Sequence, residues 1–202
     1  MLRNANTFKV TEKGFGLIEL LVSISIVVLV TSIIMTRHTS YNGAVLLRSE
    51  AYDIALGARE VQLAAVSAVG TVGDYRNVFG LHFDTTAGNN GFYRIFRDSD
   101  GDFYYDAVLP SEAVGARSNL DPRFEIDEIR LIDGGVPATP STVSVVFERP
   151  NFDARFYTAS GVAAPSSVSA VQLVVRLRGT TGTGVGEIRL VEITKTGQIT
   201  VQ

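Results

Sequence analysis

A long apolar stretch near the amino terminus constrains this chain more than any other feature. Residues 15–35 comprise 21 positions, and Glu19 is the only ionisable side chain among them. As an α-helix, a stretch of this length rises about 31 Å at roughly 1.5 Å per residue, which matches a hydrocarbon core of about 30 Å. The sequence therefore predicts a helix over residues 15–35 that crosses a membrane once.

A polar, basic leader precedes the apolar stretch, and its end has the features of a processing site. Secretory signal peptides are cut after their apolar segment, behind small residues, and are then discarded. Here the order is reversed, because polar residues 1–14 come first and the candidate scissile bond joins Gly14 to Phe15. Cleavage at this bond would leave the apolar helix in the mature protein.

This arrangement closely resembles the class III signal of type IV prepilins and type II secretion pseudopilins. In those signals a short basic leader ends in Gly, Phe follows, and Glu stands at the fifth mature position, as Glu19 does here. The resemblance implies that a membrane prepilin peptidase cleaves after Gly14 and methylates the new amino terminus on Phe15. Family members commonly have Thr in place of Gly16, a departure that we do not expect to block processing.

Glu19 is a costly residue in the predicted span. A carboxylate near the middle of a bilayer costs about 2.5 to 3.5 kcal/mol on insertion scales, so it needs a partner or a purpose. Cleavage frees an α-amine on Phe15, which reaches Glu19 of a neighbouring subunit more readily than Glu19 of its own chain. Such a desolvated pair would select one register between stacked helices. The alternative is a membrane anchor that tolerates a Glu near its cytoplasmic end.

The charges around the span predict its orientation. Arg3, Lys9 and Lys13 precede it, whereas Arg37 alone follows closely. The positive-inside bias therefore keeps the leader cytoplasmic and exports the rest of the chain to the periplasm or the cell exterior. The predicted location is the cytoplasmic (inner) membrane, crossed once.

A second helical pattern follows the span. Apolar or small residues recur in steps of three and four, which makes one stripe on a helix. The stripe consists of Ala44, Leu47, Ala51, Ile54, Ala58, Val61 and Ala65. We predict that the helix continues as an amphipathic segment over residues 36–70, with a weak point at Asn42-Gly43 because Gly disfavours helix interiors. A coiled coil is the alternative, although the stripe covers fewer than four heptads.

Short alternating runs and turns predict a β-rich domain over residues 71–202, with antiparallel sheets that have one wet face. The predicted strands cover residues 78–83, 92–96, 103–109, 124–132, 143–147, 154–158, 168–177, 187–194 and 199–201. Hairpin loops are expected at residues 89–91 and 195–197, and surface loops at residues 136–142 and 162–167. The glycine-rich residues 182–186 favour a hairpin loop over a phosphate loop, since no Lys-Ser/Thr follows.

Composition excludes some chemistry. The chain has no cysteine, so the domain has neither a disulfide nor a thiol nucleophile. Its formal net charge of −3 argues against a broad nucleic-acid surface, although a local basic patch stays open. His38 and His82 are the two histidines, and we interpret both as ordinary surface or packed residues.

An acidic segment follows the second predicted strand. Alternating carboxylates are hard oxygen ligands of the kind that Ca²⁺ prefers, and they predict a calcium site. The predicted ligands are Asp98, Asp100, Asp102 and Asp106. The match to an EF-hand loop is partial, because Phe103 replaces the Gly at the sixth position and Leu109 the Glu at the twelfth. The bidentate ligand is then missing unless Asp106 or Glu112 supplies it. The alternative is a solvated acidic turn.

The order of elements extends the resemblance. A long helix carries Arg-Ser-Glu-Ala at residues 48–51, and a β-rich domain with an Asp-rich turn follows and ends on a strand. This order is similar to that of the H-type minor pseudopilins and related minor pilins. It implies a pilin-like α+β fold, in which a long N-terminal helix packs on an antiparallel β-sheet domain.

The resemblance also implies a function. The chain would be a non-enzymatic, minor structural subunit of a type IV pilus or a type II secretion pseudopilus. Its partners would be other pilin or pseudopilin subunits, the prepilin peptidase, the inner-membrane assembly platform and the membrane itself. Two other functions stay open. A tip adhesin or DNA-uptake pilin would be favoured by a basic, exposed patch, and a membrane-tethered hydrolase by a pocket with clustered acids and a His.

Overall fold

The computed structural model describes residues 14, 16–67, 78–106, 108, 112–135, 137–147, 152–159, 161–181 and 187–202, and for residues 36–42 the backbone alone. One helix, α1 (Leu17–Val66), comes first and strands follow it. The chain divides into an amino-terminal unit, Met1–Tyr41, and a globular unit, Asn42–Gln202. The two units are described separately below.

The amino-terminal unit contains the apolar part of α1. Leu17–Met35 has a mean hydropathy of 2.7 and none of it is buried, so this segment is long enough and apolar enough to cross a membrane. Its hydroxyls bond within the helix: Ser23 Oγ donates to the Glu19 carbonyl at 2.7 Å and Thr31 Oγ1 to the Val27 carbonyl at 2.7 Å. The helix is compatible with a membrane anchor.

The globular unit contains two antiparallel sheets. Its described residues form β1 (Val78–Asp84), β2 (Phe92–Asp98), β3 (Ser118–Asn119), β4 (Phe124–Ile132), β5 (Thr142–Phe147), β6 (Ala154–Thr158), β7 (Val162–Ala163), β8 (Ala170–Leu177), β9 (Ile188–Thr194) and β10 (Ile199–Val201). The first sheet has the order β3-β2-β1-β5-β6-β7, and the second has the order β10-β9-β8-β4. With α1, this is an α+β arrangement compatible with a pilin-like fold.

Both sheets and the second half of α1 share one hydrophobic core. Phe83 and Phe147 of the first sheet lie in this core with Ile129 and Leu173 of the second. The helix contributes a core stripe whose members are at most 2% exposed: Leu47, Ala51, Ile54, Ala58, Val61 and Ala65. The stripe predicted from the sequence is confirmed at these positions, and Ala44 is half-buried.

Polar side chains of the helix donate to backbone carbonyls near the starts of β6 and β10. Gln62 Nε2 donates to the Phe152 carbonyl at 3.1 Å and to the Gly197 carbonyl at 2.9 Å. Arg59 Nη2 donates to the Ile199 carbonyl at 3.2 Å. The bonds to the Gly197 and Ile199 carbonyls are partly buried, where an unpaired carbonyl would be costly.

Most predicted strands and both predicted hairpin loops are confirmed. The prediction of a strand over residues 103–109 is wrong: residues 103–106 and 108, the described part of this segment, form no strand. Phe103 has φ 63°, a left-handed conformation that no strand contains. The aromatic run Phe103-Tyr104-Tyr105 has the composition of a strand, but it packs as a loop over the first sheet.

Smaller differences concern short strands and the chain outside the described residues. The sequence did not predict β3, and β7 falls inside the predicted surface loop over residues 162–167. The two-residue length of each strand explains this, since such runs carry no periodicity. Residues 1–13 of the leader, Phe15, the His38 side chain, residues 68–70 of the predicted helix and the predicted loop over residues 182–186 lie outside what is described.

Candidate functional site

The predicted processing and assembly residues stand at the start of α1. Gly14 and Gly16 are exposed, and the amides of Glu19 and Leu20 bind the Gly16 carbonyl at 3.0 and 3.1 Å. Glu19 therefore occupies the first helical turn, where the helix dipole favours a carboxylate. Its exposed side chain forms no ion pair with any described residue.

The globular part of α1 has a second apolar face that no described residue covers. Val45 is 51% exposed, Tyr52 48%, Leu56 66% and Leu63 64%. Their spacing of seven, four and seven residues puts them within about 40° on a helix that turns about 100° per residue. By the same geometry they lie about 180° from the core stripe. We call these four residues the apolar seam.

Charged residues flank the apolar seam with opposite signs. Helical geometry puts Arg48 and Arg59 on one side of it and Asp53 and Glu60 on the other, and all four are exposed. The Arg48 guanidinium lies over Tyr52, 5.5 Å from the ring centroid, and donates to its hydroxyl at 3.3 Å. Sequence reasoning identified the core stripe and missed the seam, although a spacing of seven and four residues also follows the period of a helix.

The acidic segment brings together only part of the predicted calcium ligands. One carboxylate oxygen each from Asp98, Asp100 and Glu112 lies within 4.8 Å of the other two. We call these three residues the acidic cluster. Asp102 Oδ1 instead accepts from the Tyr104 amide at 2.7 Å, and Asp106 Oδ1 from the Val108 amide at 2.8 Å.

The carboxylates of the acidic cluster also organise the loop backbone. Asp98 Oδ1 accepts from the Gly101 amide at 2.8 Å, and Oδ2 from the Phe103 amide at 3.3 Å. The fully buried Glu112 accepts from the Ser99 amide and hydroxyl at 3.2 Å each, and from the Asp106 amide at 2.9 Å. Loop order thus depends on these two buried carboxylates.

Electrostatics of the acidic cluster favour a cation. Burial raises the pKa of Asp98 above its usual value, the Gly101 and Phe103 amides oppose this, and the charges of Asp100 and Glu112 add to it. Among the described residues no Lys or Arg forms an ion pair with the cluster. Three close oxygen ligands suit a hard cation such as Ca²⁺, and calcium remains a prediction for this site.

The aromatic part of the same loop covers the face of the first sheet that points away from the main core. Phe103 stacks on Tyr157 with centroids 5.1 Å apart, and Tyr104 donates from its hydroxyl to Thr142 Oγ1 at 2.8 Å. Together with Phe96 and Val146 of the sheet they form a second, smaller core. Beside it lies a cavity of about 230 Å³.

His82 of β1 lines this cavity and is largely buried. Burial lowers its pKa to about 4, nearby Asp84 opposes the shift, and the Arg94 charge adds to it. Its Nδ1 lies 2.9 Å from Ser144 Oγ. The interpretation of His82 as a packed strand residue agrees with its position in β1. The sequence alone did not indicate that His82 lies beside Arg94.

Comparison with known proteins found no match to a protein-family model, a curated protein or a solved structure.

Proposed function

We propose that this protein is a structural subunit, of the minor type, in a type IV pilus or a type II secretion pseudopilus. The observation that carries the proposal is the apolar seam on the outer face of α1, opposite the core stripe. Four large apolar side chains on one helix face, each about half or more exposed, are the pattern of a face that packs against another helix.

The flanking charges indicate how such a contact would be arranged. With bases on one side of the seam and acids on the other, a parallel neighbour of the same pattern would bring Arg48 or Arg59 towards Asp53 or Glu60 of the next subunit. Where the next subunit is displaced along the helix axis, different parts of the two seams meet, and the contact is heterologous. Heterologous contacts that do not close into a ring generate helical filaments.

The amino-terminal residues support the same function. In the proposal, prepilin peptidase cleaves after Gly14 and methylates Phe15, and the free amine pairs with Glu19 of a neighbouring subunit. The segment Leu17–Met35 holds the subunit in the cytoplasmic membrane, and the globular unit lies on the periplasmic or extracellular side. The inner-membrane assembly platform and other pilin or pseudopilin subunits are the proposed partners. The protein has no catalytic role in this proposal.

The test is incorporation of a seam variant into fibres. Leu56→Glu places a charge in the centre of the seam, and we expect its amount in sheared fibres to fall by about tenfold or more while its level in the membrane stays unchanged. Val162→Glu is the matched control, because Val162 is 62% exposed but lies on β7. Equal incorporation of wild type, Leu56→Glu and Val162→Glu would contradict assembly through the seam.

A further inference from the structure

The cavity of about 230 Å³ lies on the outer face of the first sheet, and its lining is charged as well as aromatic. Residues His82 and Arg94 are direct partners across β1 and β2, so they share this face. The aromatic loop after β2 supplies one wall through Tyr104 and Tyr105. The lining therefore comes from segments that are distant in sequence and are brought together by the sheet register.

Arg94 is held in place by two rings. Its Cζ lies 5.5 Å from the ring centroid of Phe92 and 5.6 Å from that of Tyr105. Within the described part of the chain the guanidinium forms no hydrogen bond and no ion pair. A guanidinium fixed in this way is pre-organised for a carboxylate, which it binds through two parallel N–H bonds.

Among the described residues that line the cavity, Asp84 supplies the one carboxylate, and it limits the charge of a ligand. Asp84 Oδ2 accepts from Asn89 Nδ2 at 2.8 Å, and Oδ1 accepts from the Thr86 amide at 2.7 Å. These bonds fix the carboxylate, and its remaining lone pairs can accept from hydroxyl groups. The negative charge disfavours a phosphate, or a second acid group, on the ring that enters the cavity.

His82 contributes a neutral donor to the lining. The buried Ser144 hydroxyl accepts from the Tyr105 amide at 3.3 Å and lies 2.9 Å from His82 Nδ1. The Ser144 hydroxyl and His82 Nδ1 are both satisfied when Ser144 donates to Nδ1, which leaves the proton of a neutral imidazole on Nε2. Since burial lowers the His82 pKa to about 4, the ring adds no second positive charge near neutral pH.

Backbone strain next to the cavity is a further sign of a specialised site. Phe103 has a positive φ of 63°, which is uncommon for a bulky residue and costs energy. The Asp98 carboxylate and the Tyr157 ring hold it there. Tyr104 and Tyr105, which follow Phe103, pack on the sheet and line the cavity.

We propose that this cavity binds a ring-sized, hydroxylated monocarboxylate, of which a hexuronic acid residue is the simplest example. Arg94 binds the carboxylate, the Asp84–Asn89 pair binds hydroxyls, and the apolar C–H face of the ring packs on the aromatic wall, whose π-faces carry negative charge. A nucleotide is disfavoured by its phosphate. The inference does not depend on assembly into a fibre.

The test uses the full chain in detergent micelles and measures binding of glucuronate by saturation-transfer NMR and calorimetry. Glucose and AMP serve as the neutral and phosphorylated comparisons, and tri-galacturonate distinguishes a sugar within a polymer from a free sugar acid. We expect saturable binding of glucuronate, about tenfold or more tighter than binding of glucose or AMP. Tighter binding of the trimer than of the monomer would assign the ligand to a polysaccharide, and the reverse to a free acid.

Variants assign the binding to this cavity. Arg94→Gln should weaken glucuronate binding by about tenfold or more, and Arg94→Lys should weaken it less, because Lys keeps the charge but not the paired donors. Arg117→Gln is the matched control, since Arg117 lies 4.7 Å from the Phe92 centroid but does not line the cavity. The inference is overturned if glucuronate does not bind up to about 10 mM, if glucose or AMP binds equally well, or if Arg94→Gln binds like wild type.

Discussion

The Tyr93 hydroxyl lies directly against the backbone of Gly57, where β2 meets α1. A Cβ placed on Gly57 would overlap the hydroxyl oxygen of Tyr93 and lie 3.1 Å from its Cζ. The helix and the first sheet thus approach so closely that this helix position has no room for a side chain.

The first prediction concerns this contact. Gly57→Ala would gain up to about 1 kcal/mol of helix propensity, but we expect a net loss of about 1–3 kcal/mol in the free energy of unfolding, because the buried Tyr93 must move. Chemical denaturation of the full chain in detergent measures it. Gly43→Ala is the control, since no atom lies within 4 Å of a Cβ there, and it should be stabilising.

A double-mutant cycle tests the cause. Tyr93→Phe removes the oxygen that the new methyl group would meet, so Gly57→Ala should cost less in that background. If the cost of Gly57→Ala is the same with Tyr93 and with Phe at that position, the close approach is not the reason.

Regular periodicity explains why so much of the fold could be predicted from the sequence. The core stripe of α1 repeats every three to four residues, and β4 alternates on either side of its bulge, so burial on one face follows directly. The strand predicted over residues 103–109 failed because aromatic residues suit both a strand and an apolar loop. What distinguishes them is the conformation of Phe103, which Asp98 and Tyr157 impose from outside the segment.

The candidate sites were less accessible to sequence reasoning. Glu112 joins Asp98 because the Arg97 amide binds the Glu112 carbonyl, a pairing that no local pattern indicates. Sequence reasoning offered Glu112 only as a replacement for a missing EF-hand ligand. The cavity beside Arg94 depends on the register of β1 against β2 and β5, which brings His82 opposite both Arg94 and Ser144.

The second prediction is a pH dependence caused by His82. Its pKa is about 4 in the folded protein against an ordinary value of 6.5, so between these pH values the unfolded chain binds more protons. The stability contribution of neutral His82 is therefore complete above pH 6.5 and is lost as the pH falls towards 4, by on the order of 3 kcal/mol.

His82→Gln provides the comparison, because Gln does not titrate and can still accept a hydrogen bond from Ser144. We expect the variant to lose less stability than wild type between pH 6.5 and 4, measured by denaturation at each pH. The raised pKa of Asp98 acts in both proteins and cancels in the difference. Parallel curves for the two proteins would show that His82 is not the group responsible.

The third prediction is processing at the Gly14–Phe15 bond. Co-expression with a prepilin peptidase should give a mature chain that begins with methylated Phe15, as shown by intact mass and amino-terminal sequencing. Gly14→Val should block cleavage, because a branched side chain restricts the backbone next to the scissile bond. Gly16→Ala, two residues beyond, is the control and should be processed. A retained leader in the wild-type protein would refute the prediction.

The fourth prediction concerns Glu19. Glu19→Val removes the only ionisable group of residues 15–35, so insertion into the membrane should be unchanged or improved. Incorporation into sheared fibres should fall, because the α-amine of the neighbouring subunit loses its partner. Glu19→Asp keeps the charge and should retain part of the incorporation. Wild-type levels of Glu19→Val in fibres would rule out the intersubunit pair.

The last prediction is that Ca²⁺ binds at the acidic cluster and stabilises the loop that it organises. Binding to the folded state alone would stabilise it by about 2.7 kcal/mol at a hundredfold excess over Kd, so millimolar calcium should raise the melting temperature of the full chain relative to EDTA. Asp100→Asn should abolish the calcium-dependent rise, because the Asp100 carboxylate belongs to the cluster. Asp102→Asn should retain it, because the Asp102 carboxylate is not part of the cluster. Loss of the rise in both variants would favour the ligand set predicted from the sequence, whereas a wild-type melting temperature indifferent to calcium would leave a solvated acidic turn.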